Sequence, residues 1–186
     1  MKTKQFILPA LLIILMTFSI DSFAQRRVIN TPRHTVVQSP RGTVIYRKRP
    51  VIAPVRRLPK RTVVVHYNNH PYYYHGGLFY TSRNGVYIRI APPVGIRIAT
   101  LPAGYIRVVV GPRPYFYLAG TFYVSNESTG EYLVVEPPVG AVIGALPKEA
   151  AEIEIDGKPY FEYNGTIYKP VHAESPAYEV VGKMEE

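Results

Sequence analysis

Glu152 and Glu154 stand two apart in the run Ala151-Glu152-Ile153-Glu154-Ile155, a spacing that puts both carboxylates on one side of an extended strand. Paired carboxylates are the machinery of glycoside hydrolysis, where one gives a proton and the other attacks or activates water. A solvated strand face carries the same spacing, and that is the favoured reading because exposed strand glutamates are ordinary. Other catalytic material is scarce. The chain has no cysteine, and Asp156, the only aspartate after residue 24, sits in an Asp-Gly pair typical of a tight turn. Nucleophilic catalysis needs a nucleophile beside a base, and no such pairing is visible, so the expectation is a protein that is not an enzyme.

His66, His70 and His75 fall within ten residues, with His34 and His172 elsewhere. Imidazoles at that density could hold zinc, copper or nickel. On an extended chain, however, His66 and His70 share a face while His75 points away, and no carboxylate lies near to orient a ring. Neither a metal site nor a cofactor is expected.

Tyrosine is the commonest aromatic, with 16 copies against no tryptophan. Tyr72, Tyr74, Tyr115, Tyr117 and Tyr160 recur at matching places in the chain. Exposed in rows they would form a ligand-binding platform for stacking on the sugar rings of a glycan or of peptidoglycan; turned inward they are core packing with the hydroxyl left at the edge. Packing is favoured, because the strongest stacker, tryptophan, is absent.

Charge is segregated along the chain. Residues 25–113 hold 16 Lys and Arg and no acid, whereas residues 114–186 hold 4 basic and 12 acidic residues. That asymmetry points to an anionic partner at the basic end, or to docking of the two halves on each other. Arg107 and Glu152, 45 residues apart, are candidates for such docking. Arg47, Lys48, Arg49, Arg56, Arg57, Lys60 and Arg61 form the densest cationic stretch and are the candidate tether. Near an anionic membrane surface each Lys or Arg contributes ~1 kcal/mol, weakened by salt.

The elements that carry these residues begin with an export signal. Lys2 and Lys4 precede an apolar run from Phe6 to Ile20, and Ser22-Phe23-Ala24 ends in the small residue that signal peptidases prefer, so residues 1–24 read as a cleaved signal peptide. Fifteen apolar residues fall short of the ~20 a membrane-crossing helix needs. The mature form is therefore expected without a transmembrane helix, in the periplasm or at the outer membrane. Export argues against a nucleic-acid partner.

Residues 25–66, rich in arginine and proline, read as a disordered basic linker. Within it Thr35-Val36-Val37, Thr43-Val44-Ile45-Tyr46 and Thr62-Val63-Val64-Val65 are β-prone pieces. The alternative weighed for them is addition as strands to another sheet edge.

From residue 71 to 182 the chain repeats, with copies at about 72–114, 115–159 and 160–182 and a short tail at 183–186. Tyr72 to Tyr80 returns as Tyr115 to Tyr123 and as Tyr160 to Tyr168, each a pair of aromatic arms around a glycine, the pattern of a β-hairpin. Pro92-Pro93-Val94-Gly95 and Leu101-Pro102 return 45 residues later as Pro137-Pro138-Val139-Gly140 and Leu146-Pro147. A double proline cannot lie inside a central strand, so it ends one and turns the chain. The fold class expected is all-β: about 2.5 intertwined repeats of short antiparallel strands in a small sandwich or barrel-like body. Alternation in Tyr105 to Val110 places Ile106, Val108 and Val110 on one face, so a core is expected on one side only.

The Phe-Ala-Gln cleavage region, the basic tail, the Tyr hairpin with its glycine and the Pro-Pro-Val-Gly plus Leu-Pro spacing together resemble a family of small exported proteins of Gram-negative bacteria whose function is unknown. The resemblance covers about residues 72–182 and implies a bacterial cell-envelope location without an activity. The function expected is a non-catalytic envelope protein: a β-repeat interaction domain whose cationic stretch tethers it to an anionic envelope surface or an envelope protein. The alternatives are a glycan-binding module and, below it, a periplasmic metal binder or a hydrolase. Composition does not fix the oligomeric state.

Overall fold

In the computed structural model the described residues are 27–30, 34–39, 42–47, 52–171 and 174–184. The signal expected at 1–24, Lys48, Arg49, His172 and residues 185–186 lie outside them, as do the side chains of His34 and Arg47. Among the described residues there is no helix. The described residues start with β1 (Arg27–Asn30), β2 (His34–Ser39) and β3 (Gly42–Arg47). A first meander follows: β4 (Val63–Tyr67), β5 (His70–His75), β6 (Leu78–Arg83) and β7 (Val86–Ile90). Next come the short β8 (Arg97–Ile98) and a second meander of β9 (Ile106–Val110), β10 (Arg113–Leu118), β11 (Thr121–Ser125) and β12 (Tyr132–Val135). The short β13 (Val142–Ile143) leads to the third, made of β14 (Ala151–Ile155), β15 (Lys158–Tyr163), β16 (Thr166–Val171) and β17 (Ala177–Lys183).

Local sequence explains the meanders. Asn84-Gly85, Asp156-Gly157 and Asn164-Gly165 each place two successive residues at positive φ, between 48° and 79°. That is the two-residue turn whose twist matches paired strands, and Asn or Asp followed by Gly adopts it at least cost. Ala119-Gly120 makes the same turn with φ of 51° and 90°, although alanine gains nothing from that region.

The proline turns intertwine the copies. After Pro92-Pro93 the chain crosses to the next meander, where the Gly95 N–H donates to the Val134 carbonyl and the Val134 N–H to that of Ile96, both at 2.9 Å. The second double proline repeats this: the Gly140 N–H donates to Val180 at 2.8 Å, and the Val180 N–H to Ala141 at 2.9 Å. As a result β8 pairs with β12, and β13 with β17. The sheets are β4-β5-β6-β7, β8-β12-β11-β10-β9, and β1-β2-β3-β14-β15-β16-β17-β13.

The core differs from the one-sided expectation. The middle sheet is buried on both faces. Val108, Tyr117 and Phe122 pack against Ile143, Tyr163, Tyr168 and Val180 of the third copy and its link. Tyr123, Val134 and Ile98, of opposite parity, pack against Tyr74 and Phe79 of the first. The one-sided alternation belongs to β9, an edge strand where Ile106 lies 42% exposed despite its apolar type. The central strands β10 and β11 carry aromatics at consecutive positions, and consecutive positions face opposite ways.

The β-prone pieces of the basic stretch are paired. β3 lies antiparallel to β14 with Tyr46 opposite Ile153 and Val44 opposite Ile155, β2 lies on β3, and β4 lies on β5. Addition to a sheet edge, the alternative weighed for them, describes these pieces. Ala151, Ile153 and Glu162 are buried on the face of the third sheet turned away from the shared core. Register places Val44 and Thr35 on that same face, which the added strands extend at the edge of β14.

Candidate functional site

The stretch that leads into β4 is held at both ends. Val55 exchanges two backbone hydrogen bonds with Tyr87 of β7, at 2.9 and 2.8 Å, and the Thr62 hydroxyl donates to the Pro59 carbonyl at 2.7 Å just before β4 begins. Between these anchors Arg56, Arg57, Lys60 and Arg61 are all exposed. None of the four forms an ion pair with a described residue. The loop is thus a fixed display of four cations within six residues, on a half of the chain that has no acid to neutralise it. Of the other tether candidates, Arg47 ends β3, while Lys48 and Arg49 lie outside the described residues.

The platform tyrosines separate into two groups. Tyr74 and Tyr117 are 6% and 7% exposed and offer no ring face to a ligand. Each leans on the phenylalanine across its hairpin, Phe79 at 4.8 Å and Phe122 at 4.9 Å between centroids. Tyr72 and Tyr115 are half-buried and pack against the two cores. Edge-to-face pairs recur as well: Tyr73 with Tyr87, Phe116 with Tyr132 and Phe161 with Tyr178, at 4.9 to 5.3 Å. The repeated aromatics therefore act mainly as packing. Tyr160 lines a cavity of about 130 Å³ with Ile45, Pro159, Phe161, Glu152 and Glu154.

In that cavity Glu152 lies opposite Phe161 and Glu154 opposite Pro159, so the two carboxylates do share a face. Both are exposed, whereas a proton donor working at neutral pH relies on a desolvating pocket.

The histidines do not converge. Asn68 and Asn69 turn the chain with φ of 49° and 61°, setting Tyr67 opposite His70 and His66 opposite Pro71. His66 and His70 therefore face opposite ways, because a hairpin stands where an extended run was assumed. Among the described residues no three metal-ligating side chains cluster.

Burial dominates the electrostatics of the interior. It pushes the Tyr74 hydroxyl up to about 12, partly offset by Tyr123 and the Gly77 backbone. Tyr117, Tyr123 and Tyr168 are raised further by the same loss of water, reinforced by neighbouring tyrosines. Tyr163 is also raised by burial, against the pull of Arg89. The Tyr74, Tyr123 and Tyr168 hydroxyls have no hydrogen-bond partner among the described residues.

Sequence reading missed the contact that closes the array. Arg89 of β7 reaches the third meander and the link before it, where one guanidinium nitrogen sits 2.9 Å from Glu149 and another donates to the Tyr163 hydroxyl at 2.7 Å. This pair joins the basic and acidic halves, in place of Arg107 with Glu152. A signal existed: Arg89 lies opposite Tyr80, just as the buried Val134 and Val180 lie opposite Tyr123 and Tyr168. A charge at a repeated apolar position marks a contact that the repeat does not share. Glu162, at the place of Tyr74 and Tyr117, breaks the pattern too; it is buried, and its carboxylate accepts the Gly165 N–H at 2.7 Å.

A model built for a family of unknown function, DUF6515, matches residues 42–184. No curated protein matches, and no solved structure does either.

Proposed function

The chain belongs to the DUF6515 family, a family of unknown function, and we propose that it is a non-catalytic exported protein of the cell envelope, a β-repeat interaction domain tethered by cations to an anionic surface. The observation that carries this reading is the loop from Val55 to Thr62, which presents Arg56, Arg57, Lys60 and Arg61 exposed, without an ion pair among the described residues, and pinned to the body. Pinning lowers the ordering entropy lost on contact, so a modest number of charges suffices. The signal-like residues 1–24 and the resemblance to small exported proteins of Gram-negative bacteria support the location. Phosphates of lipopolysaccharide or phospholipid headgroups are the matching chemistry. Fine motif spacing, the Tyr hairpin with Pro-Pro-Val-Gly and Leu-Pro, is proposed as the family's structural signature.

Replacing all four cations by glutamine leaves the strands untouched and should abolish co-sedimentation with anionic vesicles at low salt, with neutral vesicles as the blank. Retained binding by the quadruple variant would remove the tether. A glycan-binding role now rests on the Tyr160 cavity: loss of peptidoglycan retention in Tyr160→Ala, with vesicle binding intact, would favour it instead.

A further inference from the structure

The strands β4, β9 and β14 open their meanders in the same way, yet their outer edges differ. That of β14 is occupied by β3, whereas β9 ends its sheet with no neighbour beyond β10 among the described residues. The open edge is apolar: Ile106 and Val109 are 42% and 65% exposed, and Tyr105 beside them is exposed as well. The chain's own basic strand suits β14, where the side chains flanking Ile153 are Glu152 and Glu154; the corresponding side chains of β9 are Arg107 and Val109, which would set like charges together.

We propose that β9 is the contact strand of a two-fold dimer, pairing antiparallel with β9 of a second copy about Val108. Backbone geometry fixes the register. Val110 and Arg113 close the two-residue turn at Gly111-Pro112, so Val110, Val108 and Ile106 spend their backbone groups on β10. Arg107 and Val109 aim theirs outward, and Pro114, opposite Val109, has no N–H to offer. Symmetry then sets Arg107 against the partner's Val109, Ile106 against the partner's Val110, and Val108 against itself. No charge meets its like directly, and the aliphatic stem of Arg107 covers the partner's Val109, the most exposed of the apolar edge residues. Each face of the joined strands stays self-complementary, as a two-fold contact requires. The result is a continuous sheet of two middle layers, with the four cations of each copy on one assembly.

The test is the mass of the mature protein by analytical ultracentrifugation over a concentration series. A concentration-dependent dimer is expected. Val109→Pro removes an N–H that β9 does not use within the monomer, and should weaken association about tenfold or more, a change of ~1.4 kcal/mol, with the circular dichroism unchanged. Val64→Pro on β4, the matching edge of the first meander, should leave the dimer intact. Because the chain lacks cysteine, Arg107→Cys and Val109→Cys proteins mixed under oxidation should cross-link as a heterodimer more readily than either does alone. A monomer at every concentration, a dimer that survives Val109→Pro or yields only to Val64→Pro, or the absence of that cross-link would each overturn the proposal.

Discussion

Raising the pH should unfold this protein steeply, and the onset follows from its buried tyrosines. An unfolded tyrosine ionises near pH 10, while Tyr74 in the fold holds its proton to about 12 and Tyr117, Tyr123 and Tyr168 are shifted up further by burial. A folded pKa raised above the unfolded one gives stability that is complete below pH 10 and drains away as pH climbs toward the folded value. At pH 11 each such group favours unfolding by about 1.4 kcal/mol, so the four together withdraw ~5–6 kcal/mol. That is comparable to the whole stability of many single domains, about 5–15 kcal/mol. Tyr163, raised by burial as well, adds in the same direction. Tyrosinate absorbance and far-ultraviolet circular dichroism followed on one sample should show at least four tyrosines ionising in a single cooperative step that coincides with loss of the β signal. Tyr168→Phe should shallow the pH dependence by about 1.4 kcal/mol per pH unit and move the midpoint upward. If those tyrosines instead titrate gradually while the β signal persists, water reaches their hydroxyls and the cores are not as closed as their packing indicates.

Further outcomes follow from the turns and the array contacts. A side chain at Gly120 would both occupy φ near 90° and collide with the Tyr163 ring, so Gly120→Ala should cost ~3 kcal/mol or more in urea unfolding; Gly165→Ala, at φ 79° with open space around it, should cost only ~1 kcal/mol. Ala119→Gly should raise the melting temperature, since it relieves a left-handed alanine for a gain of ~0.5–1 kcal/mol. Arg89→Met strands a nearly buried Glu149 and should destabilise by ~2–4 kcal/mol, most of which the double variant with Glu149→Leu restores in a mutant cycle. Tyr168→Phe at neutral pH deletes a buried hydroxyl without a partner and should be neutral or slightly stabilising by thermal melting.

What could be read in advance was whatever glycine and proline encode locally. Asn164-Gly165 and Asp156-Gly157 name their turns, Pro92-Pro93 and Pro137-Pro138 end their strands, and the recurring Tyr arms give the hairpins between them. Partnership across the array was harder, because it depends on residues far apart in sequence. Nothing local tells Phe122 and Tyr123 that both will be buried, one against each neighbour. The Asn68-Asn69 turn has no glycine, so the sequence gives no hairpin signal between His66 and His70. No local pattern joins Arg89 of β7 to Glu149, which lies 60 residues further on in the link before β14. The cationic loop was visible as composition, but its attachment through Val55 to Tyr87 is a single bridge with no motif.

The pairing of β3 with β14 joins residues 44–46 to 153–155, so more than half of the chain lies between the two partners. A ribosome or an export channel delivers the amino terminus first. The early strand must therefore wait, unpaired, until the final copy emerges, and ring closure over such a span is slow. While it waits, its Thr-Val-Ile-Tyr segment is a sticky end in a crowded compartment, and the arginines beside it are well placed to keep that end dispersed until the last hairpin arrives.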